Sequence, residues 1–154
     1  IWLLRGLSTA ASGHHPARSY LRNPPASAHA PFSDEGCLSF VKLQQFDADD
    51  SVRLAVKPTP APITPNAPPL NRRVLFERPN ERVELIHFAQ AAELPADLGP
   101  QGVEVLVLQG EVTGPAELYP LGTWLRCAPS LSRKHHAQAG TALYVKSAHL
   151  GASQ

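Results

Sequence analysis

A repeat at a constant offset of 104 residues restricts the fold of this chain more than any other feature. Gly6 falls on Gly110, Thr9 on Thr113, Pro16 on Pro120, Leu21-Arg22 on Leu125-Arg126 and Pro25 on Pro129. Farther along, Gly36 falls on Gly140 and Val41-Lys42 on Val145-Lys146, without a gap. Conservative pairs run alongside: Ile1 with Val105, Leu3 with Val107, Tyr20 with Trp124 and Phe40 with Tyr144. Solenoid and propeller units repeat every ~20–50 residues, so a period this long implies a duplicated domain. One architecture must therefore suit both copies.

That architecture reads as all-β. VEVLVL (103–108), ALYVK (142–146) and VELIHFA (83–89) are short apolar, β-branched or aromatic runs bounded by turn residues. RSYLR and GTWLR read as strands that follow turns at Pro16 and Pro120. No stretch sustains helical periodicity; the best candidate, AQAAELPADL, is cut by Pro95. Short strands with turn signals about every 8–12 residues favour a sandwich or small barrel. Between the copies, KPTPAPITPNAPP carries six prolines from Pro58 to Pro69. Such a segment is extended and cannot join a central strand. The expected organisation is a first domain over 1–50, a Pro-rich linker over 51–72 and a second domain over 73–150. The copies are unequal, because the second has roughly residues 73–104 ahead of the strand that matches Ile1. The first has no counterpart there, so its opening strands are expected to lie outside this sequence. The absence of Met and the start on Ile-Trp-Leu-Leu suggest a fragment as well.

Charge limits the partners. Fourteen Lys and Arg nearly balance thirteen Asp and Glu, leaving a net charge of +1. No field of that size selects nucleic acid or an anionic membrane surface. The apolar runs are strand-sized and too short to span a bilayer, and Arg5 interrupts the opening run before it could serve as a signal peptide. Two cysteines, Cys37 and Cys127, are too few for a disulfide framework, so a reducing, cytoplasmic location is expected.

The residues carry a resemblance. A strand ending in Gly, then Tyr-Pro-x-Gly-Thr-Trp-Leu-Arg, a Pro-rich turn with His, Gly-Cys and Val-Lys-Leu resembles the cupin superfamily. Within it, the pattern is most similar to the ChrR-type cupin-like domain, named for a bacterial anti-sigma factor. The first copy carries it in YLRNPPASAHAPFSDEGCLSFVKL (20–43), and the second in VEVLVLQGE (103–111), YPLGTWLR (119–126) and LYVKSAHL (143–150). The resemblance implies a double-stranded β-helix, the jelly-roll barrel, here as a tandem bicupin with a partial first barrel and a complete second one. It also implies one divalent metal, zinc foremost, with iron or manganese as alternatives. The ligands would come from H-x-H-x3-E, ending seven residues before the strand-terminal Gly, and from one His in the second motif. Imidazoles with a carboxylate suit such metals, and His at i and i+2 of a strand share one face.

Mapped onto this sequence, the second-motif His is His29, within PPASAHAP. The other three ligand positions fall ahead of Ile1. In the second copy the Glu position holds Val103, the His positions hold Asp97 and Gly99, and Arg133 replaces His29. That barrel is expected to hold no metal and to serve a structural or dimerising role.

Other polar residues read as framework or surface. His14-His15 precede Pro16 and are expected to face solvent, as is the basic run Arg133-Lys134-His135-His136. Asp47, Asp49 and Asp50 lack the Gly and terminal Glu of a calcium loop and read as an exposed turn. Cys37 is expected to pack. Glu104 should face away from Val103 by strand alternation. Arg22, Arg126, Lys42 and Lys146 recur in both copies and suggest structural ion pairs.

The reading that follows is a ChrR-like cupin protein, with metal bound in the first barrel of a longer parent through His29. A metal-dependent dioxygenase-type enzyme is one alternative; a metal-free regulatory or interaction module related to anti-sigma sensor domains is another. The fold hosts many chemistries and does not choose among them, so no catalytic residue is named and enzymatic activity stays open. The expected partners are a small-molecule ligand and a second copy joined through sheet edges.

Overall fold

A computed structural model describes residues 1–28, 30–59, 68–98, 100–127 and 135–150. The chain divides into two compact units, Ile1–Pro62 and Ile63–Gln154. Regular structure among the described residues is β, apart from one 3-10 turn at Ala96–Leu98. That turn follows Pro95, where the one helix-like stretch of the sequence is cut.

The first unit contains β1 (Trp2–Ala10), β2 (Gly13–Pro16), β3 (Tyr20–Arg22), β4 (Cys37–Phe40) and β5 (Leu54–Val56). They form one sheet in the order β2-β1-β3-β5, with β4 also paired to β1. β5 pairs with β3 through Tyr20↔Val56 and Arg22↔Leu54, and so lies in the stretch read from sequence as the start of the linker. Residues 60–67 of that stretch lie outside the described residues.

The second unit contains β6 (Leu70–Arg78), β7 (Glu81–Phe88), β8 (Ala92–Glu93), β9 (Val103–Gln109), β10 (Glu111–Thr113), β11 (Leu118–Pro120), β12 (Trp124–Cys127), β13 (His136–Ala137) and β14 (Ala142–Ser147). These make two sheets, β12-β9-β14-β7-β6 and β11-β10-β13-β8. Alternation sends Val103, Val105 and Val107 of β9 to one face, where they meet Ile86 and Phe88 of β7 and Leu143 and Val145 of β14. Val112 and Ala137 of the smaller sheet join the same cluster, so the sheets pack face to face around one core.

The strand ladders obey the 104-residue offset. In the first unit Leu7 pairs with Pro16, Ser8 with His15 and Thr9 with His14. In the second, Glu111 pairs with Pro120, Val112 with Tyr119 and Thr113 with Leu118. Trp2↔Phe40 and Leu3↔Ser39 correspond likewise to Leu106↔Tyr144 and Val107↔Leu143. The turns match too: Ser19 N–H donates to Pro16 O at 3.1 Å, and Thr123 N–H to Pro120 O at 3.0 Å.

Gly6 and Gly110 explain their own recurrence. Both have positive φ, 80° and 70°, where the chain leaves one strand neighbour for the next. A Cβ on Gly6 would strike the Gly36 carbonyl, and one on Gly110 would lie 2.7 Å from Thr141 Oγ1. Only glycine allows both the left-handed backbone and the close approach.

Candidate functional site

The concave face of the first unit encloses a cavity of about 640 Å³. Its floor comes from Leu3, Ser8 and Ala10 of β1, Leu21 of β3 and Ser39 of β4; Leu54 and Ala55 of β5 close one side. His15, Ser12, Asn23, Cys37 and Arg53 supply further polar atoms. At the same offset, these positions correspond in the second unit to its core: Val107, Val112, Leu125, Cys127 and Leu143. There apolar side chains fill the interior, whereas in the first unit Ser8, Asn23 and Ser39 stand in place of Val112, Cys127 and Leu143.

His15 is the most informative of the lining residues. Strand alternation turns His14 outward, where its Nδ1 lies 3.0 Å from Thr9 Oγ1, and turns His15 inward. His15 is only 2% exposed, which corrects the expectation that it faces solvent. The expectation weighed the polarity of a His-His-Pro loop and missed that residues 13–16 are a strand with an inner face. A signal was present in Tyr119, an aromatic at the equivalent position. His15 Nε2 lies 2.9 Å from Ser12 Oγ, and Nδ1 has no hydrogen-bond partner among the described residues. Burial, and then the positive charges of Lys57 and His14, hold its pKa below the ordinary imidazole value, so the ring is neutral at pH 7.

Cys37 is an exposed free thiol at the cavity, not a packed one. Asp50 departs from the exposed turn expected of FDADD. Asp47 and Asp49 are exposed, but Asp50 is buried and takes a bidentate pair from Arg22 at 2.8 and 2.6 Å. The Phe46 ring lies 4.5 Å from the Arg22 guanidinium carbon, and Val52 N–H donates to Asp50. This clasp ties the segment after β4 to β3.

His29 lies outside the described residues. The turn leading to it is described: Ser27 closes on Pro24 O through its N–H at 3.2 Å and its hydroxyl at 2.6 Å. In the second unit, Val103 is fully buried in the core, where no ligand could form. Asp97 is exposed and pairs with Arg72 at 2.6 Å, while Gly99 and Arg133 lie outside the described residues. Arg72 also grips the buried Glu84 through two hydrogen bonds, at 2.8 and 2.7 Å, which raise its pKa further above the ordinary value. His135 is buried against Tyr119, with ring centroids 5.8 Å apart, so this part of the basic run is not a solvated loop. His136 is exposed, 3.6 Å from Glu93.

The recurring cations differ in what they do. Lys146 forms a buried pair with Glu81 at 2.9 Å, whereas the exposed Arg126 reaches Glu104 only at 4.0 Å. No cluster of three or more His, Cys, Asp or Glu occurs among the described residues. The described lining therefore does not by itself make a metal site; His15 and Cys37 are the potential soft ligands it offers. No described helix is long and apolar enough to cross a membrane.

Residues 1–47 match the family model of the ChrR cupin-like domain. Among solved structures, the chain is similar to the anti-sigma factor ChrR, solved with SigE, from Rhodobacter sphaeroides: identity 16%, TM-score 0.42, covering 51% of this chain and 44% of that one. It is similar to an RmlC-like cupin from Desulfovibrio desulfuricans at 23% identity and TM-score 0.38, covering 50% of this chain and 79% of that one. A candidate dioxygenase from Nostoc punctiforme aligns with 99% of this chain and 62% of its own length, at 15% identity and TM-score 0.59. That likeness runs through both units and shows a shared fold. The chain thus spans less than two thirds of the ChrR and Nostoc chains. No curated protein matches the sequence.

Proposed function

We propose, from the premise that the chain is a cupin belonging through residues 1–47 to the ChrR cupin-like domain family, that its first unit is a divalent-metal-binding module and its second a structural one. The observation that carries this reading is the difference between the two interiors. Val105, Val107, Val112, Leu143 and Val145 fill the second, while the first keeps a cavity of about 640 Å³ with His15, Ser39 and Cys37 on its wall. A dry, packed interior stabilises; a polar, concave one receives a ligand.

His29, two residues beyond the Pro24–Ser27 turn in sequence, is the ligand this sequence would contribute. The remaining ligands would come from residues of a longer parent protein. The bound ion would be zinc, iron or manganese, since imidazole and carboxylate donors suit all three. When bound, it would supply a Lewis-acidic centre at the cavity. The chain's own contribution is a floor of Leu3 and Leu21 that limits water, and a turn at Pro24–Ser27 closed by two hydrogen bonds.

The test is metal content by mass spectrometry on the longer protein purified without a metal-affinity step. Wild type should carry close to one divalent ion per chain, and His29→Ala should lose most of it. Equal metal in both proteins would remove His29 from the site and end this reading.

A further inference from the structure

The cavity of the first unit carries hydroxyls where the equivalent wall of the second unit is apolar. The antiparallel bridge between Thr9 and Phe32, closed by two backbone hydrogen bonds of 2.8 Å, sets Ser33 beside Ser8 on the inner face of the second half of β1. Side chains directly opposed on antiparallel strands have Cβ atoms about 4.5–5.5 Å apart, so these two hydroxyls adjoin. β1 turns at Gly6, whose φ is 80°, and its first half carries Leu3 opposite Ser39. Ser8, Ser33 and Ser39 all line the cavity. At the 104-residue offset they correspond to Val112, Ala137 and Leu143, which pack together in the core of the second unit with Val112 directly opposite Ala137.

Access separates these hydroxyls from the sealed Nδ1 of His15. None of the three makes a hydrogen bond among the described residues, and none is among the unpartnered atoms closed off from solvent. A hydroxyl both donates and accepts, so it pairs best with a group that does the same. No Asp, Glu or Lys lines the cavity, and Arg53, its one fully charged side chain among the described residues, is exposed. An ion seated among the serines would lose hydration with no buried counter-charge to replace it. Leu3, Leu21 and Leu54 add an apolar floor. The volume of about 640 Å³ lies within the usual range for small-molecule pockets, about 300–1,000 Å³.

We infer that this cavity binds a small neutral molecule with neighbouring hydroxyl groups on an apolar body, held by the adjoining hydroxyls of Ser8 and Ser33 with Ser39 as a third contact. The inference rests on the reading of this cavity as a ligand site and adds the class of ligand. The second unit is the internal control, because its Val112, Ala137 and Leu143 leave neither the hydroxyls nor the space.

The experiment uses the full-length protein stripped of metal with a chelator, titrated calorimetrically with hexane-1,2-diol and with hexanoate. The diol should bind about tenfold more tightly than the anion, which must give up hydration on entry. Ser33→Ala makes the wall match the second unit at that position and should weaken the diol about three- to tenfold, the share of one hydrogen bond. Ser8→Ala should do the same; should it unfold, the half-buried Ser33 decides. No diol binding, hexanoate binding as tight as the diol, wild-type diol affinity in folded Ser33→Ala, or diol binding that appears only with zinc restored would each overturn the inference. Metal content of the unstripped protein is measured in parallel. Absent diol binding with metal present defeats this inference alone, and diol binding in a protein that purifies without metal defeats the His29 reading alone.

Discussion

The two units share a strand ladder and differ in what faces inward. Leu3↔Ser39 in one is Val107↔Leu143 in the other, and Ser8↔His15 is Val112↔Tyr119. Backbone features recur because they are forced: Gly6 and Gly110 each sit where a Cβ would collide, and the Pro16 and Pro120 turns close with the same hydrogen bond. Inward side chains are free of that constraint, since a pleated strand accepts either a polar or an apolar residue on its inner face. A repeated strand ladder can therefore keep its backbone pattern while one copy fills its interior and the other keeps a cavity. Fold and site are written in different residues of the same strands.

Exchanging inward residues breaks this comparison most forcefully. Leu143→Ser puts an unpartnered hydroxyl and a void into the packed core and should cost about 4 kcal/mol in denaturant unfolding. Ser39→Leu, the reciprocal change, should alter stability by less than about 1.5 kcal/mol, because the cavity has room for the longer side chain. A large stability loss there would mean that the first interior is already packed. The recurring arginines come next. Asp50→Ala leaves Arg22 charged and buried and should cost about 3 kcal/mol, whereas Arg126→Ala, on an exposed side chain 4.0 Å from Glu104, should cost less than about 1 kcal/mol. Equal losses would restore a common framework role to the pair.

Two smaller effects sharpen the contrast. Arg18 has a φ of 70° at the turn position where the second unit places Gly122, at 87°. Arg18→Gly should raise stability by about 0.5–1 kcal/mol, as relief of a left-handed residue outweighs the added chain entropy. The depressed pKa of His15, caused by burial and then by Lys57 and His14, means that the folded state binds its proton less readily than the unfolded chain. Its contribution to stability is present above the unfolded pKa of about 6.5 and is lost as pH falls below that value. Unfolding midpoints measured across pH 5–8 should fall on the acid side, and less so in His15→Phe.

Much of the architecture was legible in the sequence. The strands at 83–88, 103–108 and 142–146, the Pro turns and the offset between copies rest on periodicity, prolines and glycines, which act locally. The likeness of residues 1–47 to the ChrR cupin-like domain was carried by residues of the same kind. Burial was harder to read. His15 and His135 belong to polar runs, and their inward placement depends on partner strands distant in sequence. Asp50 looked like part of an exposed acidic turn because nothing local announces Arg22, 28 residues earlier. Cys37, flanked by Gly36 at positive φ, sits at a strand entrance where it lines the cavity instead of packing into a core.

The central claim is that one interior receives a ligand ion and the other does not. The most direct measurement is an anomalous-difference map from crystals of the full-length protein grown with zinc. The account predicts one strong peak beside His29 in the first unit and none within the Val105–Val112–Leu143 interior of the second. A peak inside the second unit, or zinc bound away from His29 alone, would contradict it.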